Sequence, residues 1–328
     1  MVYHDKAIAN TFGLKAVASN WVEYGSAQEL AHDLASAPKP YLHVGGGSNL
    51  LFAAERIEGT VFHNGCKDIE MLSRGDKTVL VRAGGGLAWD DFVLWCVENR
   101  FYGAENLSLI PGEVGAAAVQ NIGAYGAEVK DIIESVETYD VQRGCLKRFS
   151  TAECAYAYRS SFFKTDAGRN FFVLAVEFRL SLEAGFNLSY GPLKELDNPT
   201  LESVRAKIVS TRKAKLPDPE EVGSAGSFFM NPVVPRSQYE ALAADYPDMP
   251  HYPAGEGFVK LSAGWMIDRC GFKGCSRGGA GVYEHQALVL VNRGGATAAG
   301  IMALAEEIIA SVSEKFGVTL RPEVQIVK

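Results

Sequence analysis

Apolar positions along the chain follow two rhythms. Short runs rich in β-branched and aromatic residues, Pro40–Val44, Thr60–Asn64 and Thr78–Ala83, read as strands. Ile133–Val141 and Phe171–Leu180 have the same character and are expected in the same sheet. The helical rhythm appears between and after them. Leu30, Ala31 and Leu34 share one face of a helix over 28–36, and an amphipathic helix over 90–100 follows Gly84–Gly86, with Asp90 placed as its cap. Leu201, Val204 and Ile208 mark a helix that must stop before Pro217. A small helix is expected over 237–246, and a buried strand runs to Val291. A long helix over 299–316 carries Met302, Ala305, Ile309, Val312 and Phe316 on its apolar side. Short strands with few helices through the first two hundred residues give an α+β class.

Two stretches follow neither rhythm. Ile110–Gly126 contains four glycines and one proline with almost no charge. That composition is poor for helix or strand, yet too apolar for a solvated linker. Glycines let successive N–H groups converge on an anion, so the stretch is either a cradle for a phosphate-bearing cofactor or a buried turn at a domain junction. The second stretch, Gly45-Gly46-Gly47-Ser48-Asn49, follows the strand ending at Val44. A strand feeding a glycine-rich turn can hold a nucleotide phosphate, or can be a plain β-turn. The dinucleotide fingerprint GxGxxG fails because Leu50 stands in place of its third glycine, which disfavours a conventional Rossmann domain.

The 328 residues suffice for about two domains. Net charge is -7 and the isoelectric point about 5.5, so no overall basic field recruits nucleic acid or an anionic membrane. An anionic substrate then needs a local basic patch. The N-terminus lacks a signal-like apolar region and no run is long enough for a membrane span, so a cytoplasmic location is expected. Six scattered cysteines form no CxxC pair, and a metal site is not expected.

Several polar residues sit where chemistry is conceivable, each with an ordinary alternative. Arg159, in Tyr158-Arg159-Ser160-Ser161, is a ligand clamp or a structural ion-pair partner. Arg212 and Lys215 end the helix before Pro217, where the dipole favours cations with or without function. Ser227, in Gly226-Ser227-Phe228-Phe229, delivers a hydroxyl from a small-residue turn or merely caps it; the G-x-S-x-G elbow of hydrolases is absent. Glu323 is a carboxylate in an apolar terminal strand, which needs a partner unless it faces solvent.

Taken together, the motifs resemble the UDP-N-acetylenolpyruvoylglucosamine reductases, flavoenzymes with a PCMH-type FAD domain. The likeness runs from Gly45 to Glu323 in family order: Gly45–Asn49, Pro111-Gly112-x-x-Gly115 with Gln120–Gly126, Tyr158-Arg159, Gly226–Pro232 and Pro322-Glu323. Two departures are visible: Ala118 replaces a proline and Met230 a lysine. The resemblance implies a PCMH-type FAD-binding domain over 1–205, with α+β subdomains about 1–68 and 69–205. A substrate-binding α+β domain would occupy 206–328, its last strand able to return to the FAD domain. It implies non-covalent FAD held by Gly45, Gly46, Gly47, Ser48, Asn49, Pro111, Gly112, Gly115, Gln120, Asn121, Gly123, Ala124, Tyr125, Gly126 and Arg212.

The same likeness implies that NADPH reduces the flavin and that a UDP-sugar enolpyruvyl ether then accepts hydride, as a step of peptidoglycan precursor synthesis. Ser227 would be the proton donor, with Arg159 and Glu323 catalytic. Tyr190, on a capping loop found in one class of the family, would bind substrate together with Lys215, Asn231 and Gln286. A monomer is expected. A flavin oxidase of the same fold and a flavin- or nucleotide-binding sensor are the competing readings. The first lacks a His or Cys for covalent flavin in the glycine loops, and the second needs no serine, arginine and glutamate on three separate elements.

Overall fold

The computed structural model describes residues 2–328, which divide into two compact units. The first unit comprises the chain up to Ile8 with Val17–Gly47 and Arg56–Arg212; the second comprises Ala9–Ala16, Ser48–Glu55 and Lys213–Lys328. The partition is thus not one cut in the chain, because two short N-terminal excursions join the C-terminal unit.

The first unit holds two sheets. A mixed four-stranded sheet has the order Val2–Ala7, Val17–Tyr24, Arg56–Asn64, Tyr41–Val44, with the last two pairings parallel. An antiparallel five-stranded sheet has the order Cys145–Ser150, Ile133–Asp140, Phe171–Ser181, Thr78–Gly84, Ile69–Arg74. The strand Phe171–Ser181 is buried almost throughout, which explains its unbroken apolar run. Asn64 joins the two sheets, its side-chain amide donating to the carbonyls of Val173 (3.0 Å) and Leu174 (2.9 Å). Helix α1 (Ala27–Leu34) is capped by Ser26, whose hydroxyl accepts from the Glu29 N–H, and it buries Leu30.

Helix α2 (Trp89–Glu98) corrects one expectation. Its cap position is Ala88, which makes no side-chain bond, so Asp90 lies inside the first turn rather than at the cap. Trp89, Phe92, Val93 and Cys96 form its buried face, and the rings of Trp89 and Phe92 meet Phe178 of the central strand. A second correction concerns Ile110–Gly126, which is not helix-free: Val114–Gln120 forms a short helix, α3. Alanine is the best helix former, and Ala116, Ala117 and Ala118 outweigh Gly115. Ala118 is fully buried there and allows the helix to continue where proline would remove a backbone donor. Asn121 ends α3 in the left-handed region (φ 46°). Helix α4 (Leu201–Lys215) stops before Pro217 as expected and buries Leu201, Val204 and Ile208.

The second unit has a four-stranded antiparallel sheet ordered Gly223–Ser227, Val289–Asn292, Ala280–Val282, Ser276–Arg277. A three-stranded sheet is ordered Val233–Pro235, Phe258–Leu261, His251–Pro253. Gly223–Ser227 is therefore a strand and not the expected turn, although its ladder is interrupted between Ser224 and Ser227 and Gly226 takes a φ of 67°. Helices α5 (Arg236–Asp245), α6 (Ala263–Arg269) and α7 (Ala298–Phe316) complete the unit.

Helix α7 begins at Thr297, whose hydroxyl accepts from Gly300 N–H, and stops at Gly317 in the left-handed region. Its buried face is Ile301, Leu304, Ala305, Ile308, Val312 and Phe316. Ala305, Val312 and Phe316 of the expected stripe lie on it, whereas Met302 and Ile309 flank it and Ile301, Leu304 and Ile308 are buried instead. Each large apolar side chain fully buried on this face stabilises by about 1.5–3 kcal/mol. The last strand, Gln325–Val327, pairs in parallel with Leu50–Phe52, one of the excursions belonging to this unit.

Candidate active site

In the first unit, backbone bonds fix the glycine loop to α2 and its preceding turn. Trp89 N–H donates to Gly112 O, Val114 N–H to Leu87 O, and Gly115 N–H to Gly85 O, each at 2.9 Å. Gly45 and Gly46 approach this loop closely. A Cβ on Gly45 would stand 3.0 Å from Glu113 Oε2 and 3.3 Å from Ala116 Cβ, and one on Gly46 would stand 3.9 Å from Gly112 Cα. Gly47 and Gly112 have φ values of 67° and 115°, which favour glycine. Two glycine-rich loops thus face one another with the Glu113 side chain between them, and their backbone N–H groups suit a bound diphosphate.

The next turn is shaped by other residues. Asn121 has its side chain engaged, donating to Ala157 O (2.9 Å) and accepting from Lys130 N–H (3.2 Å), so it offers a ligand its backbone. Arg159, at φ 54°, donates from Nη2 to Gly123 O (2.5 Å) and therefore meets the glycine loop directly. Asn106 holds the loop from the other side by donating to the carbonyls of Tyr125 (2.8 Å) and Asn187 (2.9 Å). Asn187 donates in turn to Gly126 O (3.0 Å), bringing the Tyr190 loop against Gly123–Gly126. The rings of Tyr125 and Tyr190 meet edge to face at 5.9 Å, and Tyr190 remains 42% exposed.

Arg212 donates from Nε to Leu109 O (3.1 Å). Burial pulls its guanidinium below the usual range, against the opposing influence of Tyr125 and Asp90. Tyr125 is itself raised by burial, with Arg212 lowering it. Gln120 is half-buried on α3, Pro111 is exposed, and Ala124 pairs with Ala127. Ser48 and Asn49 belong to the second unit, where Asn49 O accepts from Gln325 N–H (3.0 Å).

In the second unit the segment after Ser227 crosses the segment that carries Glu323. Ser227 ends its strand, paired with Val289, and Phe228 N–H donates to Leu288 O at 2.7 Å. On the other side Glu323 N–H donates to Phe228 O (2.8 Å), Met230 N–H to Arg321 O (3.0 Å), and Phe229 bridges Pro322. Glu323 therefore lies just before the terminal strand rather than within it, laid antiparallel against the residue after Ser227. Phe228 and Phe229 are buried to 1% and anchor this crossing. Asn231 Oδ1 accepts from Ala263 N–H (3.0 Å), which caps the approach to α6, and Gln286 Oε1 accepts from Leu288 N–H (3.3 Å). Lys215 is exposed at the end of α4.

Sequence reasoning missed several side chains that shape these loops, and it read Asp90 only as a helix cap. Asp90 accepts both guanidinium N–H groups of Arg205, each at 2.7 Å, and the N–H of Leu109 (2.5 Å). Glu113 pairs with His63 at 3.0 Å. The tight buried segment around Phe12 was also missed: Ser224 N–H donates to Thr11 O (2.8 Å), Asn292 donates to Phe12 O (2.9 Å), and a side chain on Gly223 would collide with Phe12 O. No pattern signals these partners, because each lies far away in the chain.

Similarity to known proteins agrees with this geometry. An FAD-binding-domain profile matches residues 22–150, so the first unit carries an FAD-binding domain and the chain is an FAD-containing oxidoreductase. The C-terminal domain profile of UDP-N-acetylenolpyruvoylglucosamine reductase matches residues 218–327. The reductase of that name from Bacteroides fragilis (strain YCH46) is 50% identical over 324 residues, covering 97% of each chain. The one from Porphyromonas gingivalis (strain ATCC BAA-308 / W83) is 46% identical over 326 residues, covering 97% of this chain and 96% of its own. The solved Thermus caldophilus enzyme superposes with a TM-score of 0.69 at 23% identity, covering 97% of this chain and 96% of its own, which supports the fold. The chain belongs to the UDP-N-acetylenolpyruvoylglucosamine reductase family.

Proposed function

We propose that this chain reduces the enolpyruvyl ether of UDP-N-acetylglucosamine to UDP-N-acetylmuramate, with NADPH as reductant, in peptidoglycan precursor synthesis. Family membership at 97% coverage supports the reaction class. The observation that supports the site assignment is the antiparallel crossing of Phe228 and Glu323, which brings the segment carrying Ser227 and the segment carrying Glu323 into backbone contact. The fit of the flavin rests on the two facing glycine loops, with Gly45, Gly46, Gly47, Pro111, Gly112, Gly115 and Gln120–Gly126 as its cradle and Arg212 beside them. When bound, FAD supplies a group that takes hydride from a nicotinamide and passes it to an electron-poor alkene.

The chain's own residues do the rest. Arg159, fixed on Gly123, draws negative charge onto the substrate carboxylate and steadies the enolate that follows hydride addition. Glu323 polarises the same carboxylate. Ser227 donates a proton to the carbon next to it, a task a weak acid performs only against a strongly basic acceptor within hydrogen-bond reach. Lys215 pairs with substrate charge, Asn231 and Gln286 orient polar groups, and Tyr190 covers the bound nucleotide sugar. Ser48 and Asn49, which follow the first glycine turn in the chain, complete the cofactor-binding set in this reading. The enzyme works as a monomer in the cytoplasm. In this reading the first unit, ending at Arg212 rather than at residue 205, carries the cofactor, and the second unit, with the excursions Ala9–Ala16 and Ser48–Glu55, carries the substrate.

A visible spectrum tests the proposal. The purified protein is expected to be yellow, to bleach with NADPH, and to regain colour promptly only when the enolpyruvyl ether is added. Rapid recovery with oxygen alone would instead indicate an oxidase.

A further inference from the structure

The glycine loop that forms the diphosphate cradle contains a carboxylate, Glu113, immediately before α3. A negative side chain in such a loop opposes a dianionic ligand unless something neutralises it. The structure supplies that partner from the neighbouring sheet. His63, on the strand Arg56–Asn64, meets Glu113 Oε1 through Nε2 at 3.0 Å and Glu23 Oε2 through Nδ1 at 3.3 Å. Only a doubly protonated imidazole donates from both nitrogens. The Glu113 carboxylate also packs over the Gly45–Gly46 turn, its Oε2 standing 3.0 Å from where a Gly45 side chain would begin.

We propose that His63 and Glu113 are positioning residues for the flavin: the protonated imidazole neutralises the Glu113 carboxylate and fixes the spacing of the two glycine loops so that they accept a diphosphate. The proposal rests on the reading that FAD binds between these loops. Other charged and titratable groups surround His63. The strand Val17–Tyr24 brings Glu23, and the Trp21 ring stacks on His63 at 5.5 Å. Lys6 lies over the other partner in that stack, 4.5 Å from the Trp21 ring. The strand Tyr41–Val44 brings His43, packed at 4.4 Å on Phe172 and bonded to the Tyr24 hydroxyl at 2.8 Å. Burial and the charge of His63 lower His43 to about 3, so His43 stays neutral. Burial raises the Tyr24 hydroxyl, helped by Cys66 and Glu113, so it too stays neutral. For His63, burial alone would lower the pKa, but the bonds and charges of Glu113 and Glu23 outweigh it and raise it.

His63 is raised in the folded protein, so the clamp is complete below the ordinary histidine range and is lost as pH rises through the higher folded value. The test is FAD binding to flavin-stripped full-length protein, read by quenching of flavin fluorescence from about pH 6 to about pH 9. The wild type is expected to bind about tenfold more weakly at the upper end, the loss of one bond to a charged group. Glu113→Gln should stay tight and lose the pH step. His63→Gln should bind weakly at every pH, and adding Glu113→Gln to it should restore affinity. A wild-type affinity that does not change with pH overturns the clamp, as does a His63→Gln protein that melts earlier yet keeps the wild-type affinity profile. If His63→Gln does not fold, Glu113→Gln alone decides, because a retained pH step in that variant contradicts the proposal. Absence of FAD binding at any pH overturns the flavin reading itself, and the clamp with it.

Discussion

Asp90 and Arg205 form a two-pronged ion pair between α2 and α4, Oδ1 to Nη1 and Oδ2 to Nη2, both at 2.7 Å. The same carboxylate takes the N–H of Leu109, a non-glycine residue held at φ 56° just before the glycine loop. One side chain thus ties two helices to the entry of the cradle. The positive φ is unfavourable for leucine, and it persists because its N–H and O are both held, the latter by Arg212.

Arg205→Lys should therefore weaken FAD binding, because an ammonium cannot reproduce the planar fork. The expected loss of stability is about 1–3 kcal/mol, given the half-buried pair. Thermal melting with and without added FAD checks this, and unchanged melting in both conditions would show the pair to be ornamental.

Asp90 also gives a pH dependence. Burial alone would raise its carboxyl, but the Arg205 and Leu109 bonds and the charge of Arg212 prevail and lower it. A depressed folded pKa means that its stabilisation is present above the ordinary carboxylate range and lost as pH falls through the lower folded value. Acid unfolding of Asp90→Asn should therefore show a smaller dependence on pH in that window than the wild type. An identical acid limb in both proteins would contradict the assignment.

The α+β class, α1, the central strands and the stop of α4 before Pro217 were legible, because apolar periodicity and proline act locally. Helix α3 was not, since glycines at both ends of the stretch mask the helix preference of the alanines between them. The placement of Ala9–Ala16 and Ser48–Glu55 in the second unit was hidden for another reason. Phe12 and Leu51 are ordinary apolar residues, and only long-range packing shows which core they enter. The site residues were named from motif likeness. Their supports, Asp90, Asn106 and His63, come from other elements and carry no motif.

The flavin should be non-covalent, because the glycine loops offer backbone donors and no tethering side chain. Acid precipitation is expected to leave all of the yellow colour in solution. Colour retained by the pellet would exclude this.

Lys215 lies at the exposed end of α4, away from the glycine loops in sequence. Lys215→Ala should raise the substrate KM by up to about fivefold and make it less sensitive to salt, while NADPH still bleaches the flavin. Loss of bound FAD in this variant would assign the lysine to the architecture of the helix instead.

Stopped-flow absorbance at the flavin band, applied to Ser227→Ala, tests the central claim most directly. Ser227 ends a strand locked between Leu288 and Glu323 by backbone bonds on either side of Phe228, so removing the hydroxyl leaves the scaffold intact. Its proton is needed only after hydride has left the flavin. The variant should accept hydride from NADPH at nearly the wild-type rate and then lose about 10²–10⁴-fold or more in reoxidation by the enolpyruvyl ether. Ser227→Cys should recover part of that step. Equal slowing of flavin reduction and reoxidation in Ser227→Ala would contradict the account and make the serine a packing residue.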